Sequence, residues 1–459
     1  MIYKSLLIST LIVSSSYSLK LDDTPKNSSE KLSLKTVIQL SLKNDPWLLG
    51  NQYSQESIEL KSISAGTFND PKVSINAANI PTDTLDLNQE GMTQLKIGVS
   101  QVFPRGDTLE IKQEQLRLKA SQYPFQRENR KGILSVNVTQ LWLDAYKAQE
   151  SITLIQNNRS LFEQLVDIVE SSYSSAIGKT RQQDIVRAQL ELTKLDDRLT
   201  KLKQKKETQL FSLSQWIYNI SEDSQLESIL LKSSDLLLSQ QFPNINSINP
   251  ENYNNTSESQ FLLDSFKNHP AIKDIEQNIK AVSKEISLAK QQYKPQFGVN
   301  SSYAYRDNDL KGADRANLFS LGVTFDIPIF TKNRQDKDLQ SAILKTKAIK
   351  TQKLLHLKYF ITSFEKTQTI IKNLKERENL YFSKLMPQIS EQAESSLTAY
   401  TNDDGDFAEV VRSRISELNA KIDLLNIRVD IQKNIMKLNY LFMTKSDDLL
   451  KTIQFKGDK

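Results

Sequence analysis

The stretch LKIGVSQVFPRGDTLEIKQEQ, Leu95 to Gln115, decides how the chain is read. Leu95, Ile97 and Val99 alternate with Lys96, Gly98 and Ser100, the period of a half-buried strand. Pro104 closes it, and behind it runs a region of about 70 residues that reads as helix. A short strand joined directly to a helix on the order of 100 Å long is rare in a soluble domain. The fold must need both.

Working outward, the same pattern is found twice. NDPWL at Asn44–Leu48 returns as NHPAI at Asn268–Ile272, and PKVSINAA from Pro71 returns as PQFGVNSSYAY from Pro295. IGVSQVFP, ending at Pro104, returns as LGVTFDIP, ending at Pro328. All three proline pairs are separated by 224 residues, and Gly98-Val99 falls on Gly322-Val323 at the same shift. Three matches in one register indicate an internal duplication. The expected plan is helix, strand, strand, long helix, turn, helix, used twice. The first repeat is expected over 19–218, with strands about 72–79 and 93–103 and a helical hairpin tip near 178. A Ser/Asn-rich linker follows over 219–259, with one short helix at DSQLESILL. The second repeat is expected over 260–445, with strands about 296–305 and 318–328 and a tip near 405, leaving a polar tail over 446–459.

The four strands are about 9 to 11 residues long, apolar on one side and small or polar on the other. Phe319, Leu321, Val323, Phe325 and Ile327, for example, face away from Ser320, Gly322, Thr324 and Asp326. Such strands suit either a small sheet in a soluble domain or a transmembrane barrel, and alternation does not separate the two. The helices carry a seam at steps of three and four from Val138 through Leu141, Ala145, Ile152, Ile155, Phe162, Val166 and Val169. Arg159 alone breaks it. The seam resumes at Ile185, Ala188, Leu192, Leu195 and Leu199, as in an antiparallel coiled-coil hairpin. Val411, Ile415, Leu418, Ile422, Leu425 and Val429 repeat the rhythm.

Composition narrows the function classes. Cysteine is absent, which removes disulfides, thiolate metal sites and thiol nucleophiles. Lys+Arg total 60 against 55 for Asp+Glu, too even a balance for a nucleic-acid partner. A hydrophobic content of 38% excludes a helical membrane bundle. MIYKSLLISTLIVSSSYS reads as a secretory signal with cleavage after Ser18, so export is expected. Catalytic material is poor: His269 precedes Pro270 at a helix start, as a cap would, and His356 stands alone within a helix. Neither phosphate loop, nucleophile elbow nor zinc signature occurs, so no enzyme and no cofactor or metal is expected.

The duplication, the Asn-x-Pro pairs, QVFPRGD, FDIPIF and the two hairpin tips together resemble the TolC family of outer-membrane efflux proteins. SSYSSAIGKTRQQDIVRAQLEL is similar to the family's first tip, with Gly178 followed by Asp184-Ile185. TAYTNDDGDFAEVVRSRISEL is similar to the second, with Tyr400 leading into Gly405-Asp406-Phe407. The resemblance implies a mainly α, α+β homotrimer: four strands per protomer in one twelve-stranded outer-membrane barrel, continuous with a periplasmic α-helical coiled-coil barrel. It also implies a passive exit duct for a tripartite efflux or type I secretion system in a Gram-negative cell. A periplasmic adaptor (membrane fusion) protein, meeting the tips near Gly178 and Asp406, and an inner-membrane transporter would be its partners, with outer-membrane lipid around the barrel. MTQLKIGVSQVFPRGDTL resembles heavy-metal efflux members, with drug efflux and protein secretion open. In the family a tip Asp bonds to a Tyr and an Arg of the second tip and closes the entrance; Asp184 and Tyr400 match the first two, and Gly405 stands at the arginine's place. Two acidic residues also line that entrance in the family; here the positions are Glu409 and Arg412. The other reading of the residues is an exported, non-transporting coiled-coil scaffold whose strands form a small soluble sheet.

Overall fold

The computed structural model describes residues 31–174, 181–218, 236–248, 257–402 and 404–454. The expected signal, the linker helix and Gly178 lie outside the described residues. In chain order the elements are α1 (Leu34–Asn44), α2 (Pro46–Ala65), β1 (Lys72–Ala78), β2 (Gln94–Phe103), α3 (Thr108–Ala120), α4 (Tyr123–Ser174) and α5 (Gln182–Ile217). Then follow β3 (Asn244–Ile245), α6 (Ser257–Asn268), α7 (Pro270–Gln291), β4 (Phe297–Tyr305) and β5 (Leu318–Phe325). The chain ends with α8 (Gln335–Leu380), a π turn (Tyr381–Leu385), α9 (Met386–Thr401), α10 (Phe407–Phe442), α11 (Asp447–Lys451) and β6 (Ile453–Gln454). No described helix is long and apolar enough to cross a membrane.

β1, β2, β4 and β5 form one antiparallel sheet in that spatial order. The helices flanking those strands continue the order as a wall: α2 packs on α3, α3 on α7, and α7 on α8. Sheet and wall therefore end on the same sides, with β1 above α2 at one edge and β5 above α8 at the other. Two buried clusters hold the helices. The larger joins Leu34, Ile38, Val138, Trp142, Leu213, Phe266, Ile272, Phe364 and Met436. The second, toward the hairpin ends, joins Ile155, Phe162, Val169, Leu195 and Leu199 of the first hairpin to Phe407, Val411, Leu418 and Ile422 of the second. The seams read in the sequence thus close on each other. Arg159, the break in the first seam, reaches across to Asp196 at 3.0 Å and along its own helix to Glu163 at 3.0 Å.

Three features depart from expectation. The long helix behind Pro104 is interrupted at Ser121-Gln122, giving segments of 13 and 52 residues. Pro124 has no N–H for the carbonyl of Ala120, so the next helix starts afresh with proline in its first turn. A second interruption falls before Pro387, where the π turn lets the Met386 N–H reach the Tyr381 carbonyl. The expected polar tail also forms structure, α11 and β6. Leu449 is fully buried, and β6 pairs with β3 of the expected linker, Ile245 opposite Ile453.

Candidate functional site

Register sorts the sheet into two chemically distinct faces, because directly paired residues point to the same side. Val73 pairs with Val99 and Ile75 with Ile97. Ile97 pairs with Tyr303 and Phe103 with Phe297. Phe297 pairs with Phe325, Val299 with Val323, and Tyr303 with Phe319. The opposite face carries Lys72, Ser74, Asn76, Lys96, Ser100, Asn300, Ser302, Ser320 and Thr324. The apolar face is uncovered: Ile75 is 79% exposed, Phe319 70% and Leu321 69%. A soluble antiparallel sheet packs its apolar face on a core; a contiguous bare apolar face marks an interaction surface.

Both ends of the sheet are stitched. At the helical end the two quoted motifs meet: Arg105 of QVFPRGD pairs with Asp326 of FDIPIF and donates from Nη1 to the Lys294 carbonyl at 2.6 Å. Gly106, at φ +44°, supplies the left-handed turn that aims Arg105 there. At the far end, the loops 79–93 and 306–317 lie together. Arg306 donates to the Gly91 carbonyl at 2.6 Å. Arg315 donates to the carbonyls of Glu90 and Asn88 at 3.0 and 3.2 Å.

The hairpin ends hold the other candidate residues. Asp184 is buried at the start of α5, where its carboxylate accepts the Arg181 backbone N–H at 3.0 Å. Tyr400 packs in a tilted ring pair, centroids 5.5 Å apart, on Phe407, the buried first residue of α10. Ile185 and Tyr400 pack against the same cluster, and among the described residues no hydrogen bond joins Asp184 to Tyr400. Asp406 is the N-cap of α10, its Oδ1 accepting the Ala408 N–H at 3.1 Å. Gly405 has a reason the sequence did not show. A Cβ there would stand 2.6 Å from the Tyr400 nitrogen, so the turn itself demands glycine. Glu409 and Arg412 pair with each other at 2.6 Å, one helical turn apart. That pair is neutral as a unit, not a bare acidic site.

His269 is fully buried and acts as the N-cap of α7: Nδ1 accepts the Ala271 N–H at 3.1 Å, and Nε2 donates to the Tyr440 carbonyl at 2.9 Å. Burial pushes its pKa down to about 4, against the opposing pull of the Tyr440 carbonyl. His356 lies on α8 in an open groove of about 850 Å³, beside Tyr359 and Lys366. Among the described residues no group of three or more His, Cys, Asp or Glu is placed to hold a metal ion.

With this geometry in hand, comparison with known proteins shows the fold. No protein-family model matches the chain, and no curated protein matches it by sequence. Solved structures do. The chain is similar to CusC, described for its folding and transmembrane channel formation, at TM-score 0.70 and 14% identity, over 93% of this chain and 95% of that one. It is similar to the outer membrane protein VceC of Vibrio cholerae at TM-score 0.70 and 11% identity, over 89% and 95%. It is also similar to the CmeC outer membrane channel of Campylobacter jejuni at TM-score 0.69 and 15% identity, over 89% and 85%. The chain has the fold of these outer-membrane channels, nearly end to end.

Proposed function

We propose that this chain is the outer-membrane exit duct of a tripartite efflux or secretion system, working as a homotrimer and performing no chemistry of its own. The observation that carries the reading is the pair of matched open edges. β1 and β5 end the sheet, α2 and α8 end the wall, and each edge of the sheet stands over the same edge of the wall. In hydrocarbon every backbone polar group needs a partner, so an apolar-faced sheet with two bare edges must close on further strands. Three copies related by rotation, β5 against the next β1 and α8 against the next α2, close both layers together. The stripes available are Tyr53, Leu60 and Ile63 on α2, and Leu344, Leu355 and Tyr359 on α8, all more than half exposed. A soluble scaffold would leave those stripes and the sheet's apolar face in water.

In this reading the duplicated plan supplies two hairpins per protomer, and their ends form the periplasmic entrance that an adaptor protein meets. Asp184 and Tyr400 form a latch when that entrance is closed. The inner-membrane transporter supplies energy and sets the cargo. The test is a membrane preparation from expressing cells. A heat-dissociable trimer that needs detergent for solubility, with tags in 79–93 and 306–317 labelled on intact cells, supports the duct. A soluble monomer, or surface labelling near Gly178, refutes it.

A further inference from the structure

The sheet face opposite the lipid-facing residues carries charge of one sign only. Lys96 sits on the inner strand β2 toward the loop end, paired in register with Asn76 and Ala304, and Lys72 sits toward the helical end, paired with Ser100. No Asp or Glu occurs on that face in β1, β2, β4 or β5. At the helical end of the strands Asp326 is held by Arg105 and Asp107 pairs with Lys294 at 3.1 Å, while Asp70 before β1 and Asp307 after β4 lie outside the strands. Neither Lys72 nor Lys96 forms an ion pair among the described residues, while serine, threonine and asparagine surround them. The other candidate charge filter, Glu409, is cancelled by Arg412 at 2.6 Å.

We infer that the strand-lined part of the conduit is an anion-favouring filter, with Lys96 its principal determinant and Lys72 a second. This rests on the duct reading above. In the closed assembly Lys96 recurs once per protomer, and Lys72 forms a second ring roughly 13 Å along the strands. A polar passage with low-dielectric walls focuses the field of such rings and enriches counter-ions. Anionic solutes are the cargo class it eases, and multivalent cations the class it hinders.

The experiment uses detergent-purified full-length protein in planar bilayers, under a tenfold KCl gradient, with the chloride-to-potassium permeability ratio taken from the reversal potential. The wild type is expected to show a ratio above one. Lys96→Glu should lower it by about threefold or more, Lys96→Gln by less, and Lys72→Glu should move it in the same direction. Lys96→Gln keeps the test open if the glutamate variant assembles poorly. A cation-selective wild type, or a ratio that neither Lys96 substitution changes while conductance persists, overturns the filter and leaves the duct standing. Absence of any conductance from intact trimers that also carry Tyr400→Phe, which releases the latch, removes the duct, and the filter with it.

Discussion

Two regions of the molecule do the same backbone job with opposite chemistry. Asp45 and His269 stand 224 residues apart, and each caps a helix that opens with proline, α2 at Pro46 and α7 at Pro270. Asp45 is paired with Arg130 at 2.9 Å, and the Arg130 guanidinium lies between the Trp47 and Trp216 rings at 5.6 and 5.5 Å. His269 uses no charge. It is wedged between Phe360 and Tyr440, with ring distances of 4.7 and 4.9 Å, and bonds to a carbonyl. The backbone needs only an acceptor ahead of the proline, so either side chain serves. What surrounds the acceptor decides how that half of the molecule responds to acid.

The halves also bend at different heights. The first breaks at Ser121-Gln122 and then runs unbroken through Ser174; the second runs unbroken from Gln335 to Leu380 and turns at Tyr381–Leu385. Pro124 and Pro387 account for both sites, and neither has a proline counterpart in the other half.

The largest effect should come where the halves are most alike. Val99 and Val323 hold equivalent places on the apolar face, so Val99→Arg and Val323→Arg should each cost about 2–4 kcal/mol per protomer in barrel assembly. Ser100→Arg and Thr324→Arg, on the polar face, should cost far less. Yield of heat-resistant trimer measures both, and equal losses on the two faces would rule out a lipid-facing side.

The caps should then separate the halves. His269 has a folded pKa of about 4, below its unfolded value near 6.5, so the unfolded chain binds the extra proton between those pH values. Stability is complete above about pH 6.5 and falls as pH drops toward 4, by about 3 kcal/mol in total. Urea unfolding at stepped pH reads this slope, and His269→Asn should flatten it. In the first half, Arg130→Leu strands the buried Asp45 carboxylate and should cost about 2 kcal/mol at neutral pH. If Arg130→Leu is neutral in the same unfolding assay, the indole sandwich is packing without electrostatic consequence.

The smallest change concerns the tips. Tyr400→Phe retains the packing on Phe407 and removes only the hydroxyl, so it should raise single-channel conductance with little change in stability, about 1 kcal/mol or less. Gly405→Arg is no complement to it, because any side chain at 405 collides with the Tyr400 backbone. Unchanged conductance in Tyr400→Phe trimers would assign Asp184 to helix capping alone.

Much of this was legible in the sequence where the signal was local. Strict alternation located β2 and β4 to within a residue or so, because period two leaves one face no choice. The Asn-x-Pro pairs announced two capped helix starts, and His269 proved to be the cap its position suggested. The seams were readable because heptad spacing survives a single arginine. The π turn was not, since Pro387 signals a disturbance without saying whether a helix stops or merely widens. Gly405 read as a missing arginine because its crowding comes from a backbone fold that a motif does not display. The pairing of β3 with β6 joins segments two hundred residues apart through two-residue strands, below any periodic signal.

The clasp between the two far-end loops sets a rule for how that surface can drift. Arg306 and Arg315 grip carbonyl oxygens at positions 88, 90 and 91, groups that every residue possesses. Side chains there are free to be exchanged without loosening the clasp. Spacing to β2 has no such freedom: one residue inserted or deleted between 91 and 94 moves every one of these carbonyls out of register with its arginine. Homologous surfaces built on this clasp should therefore vary in letters while conserving spacing.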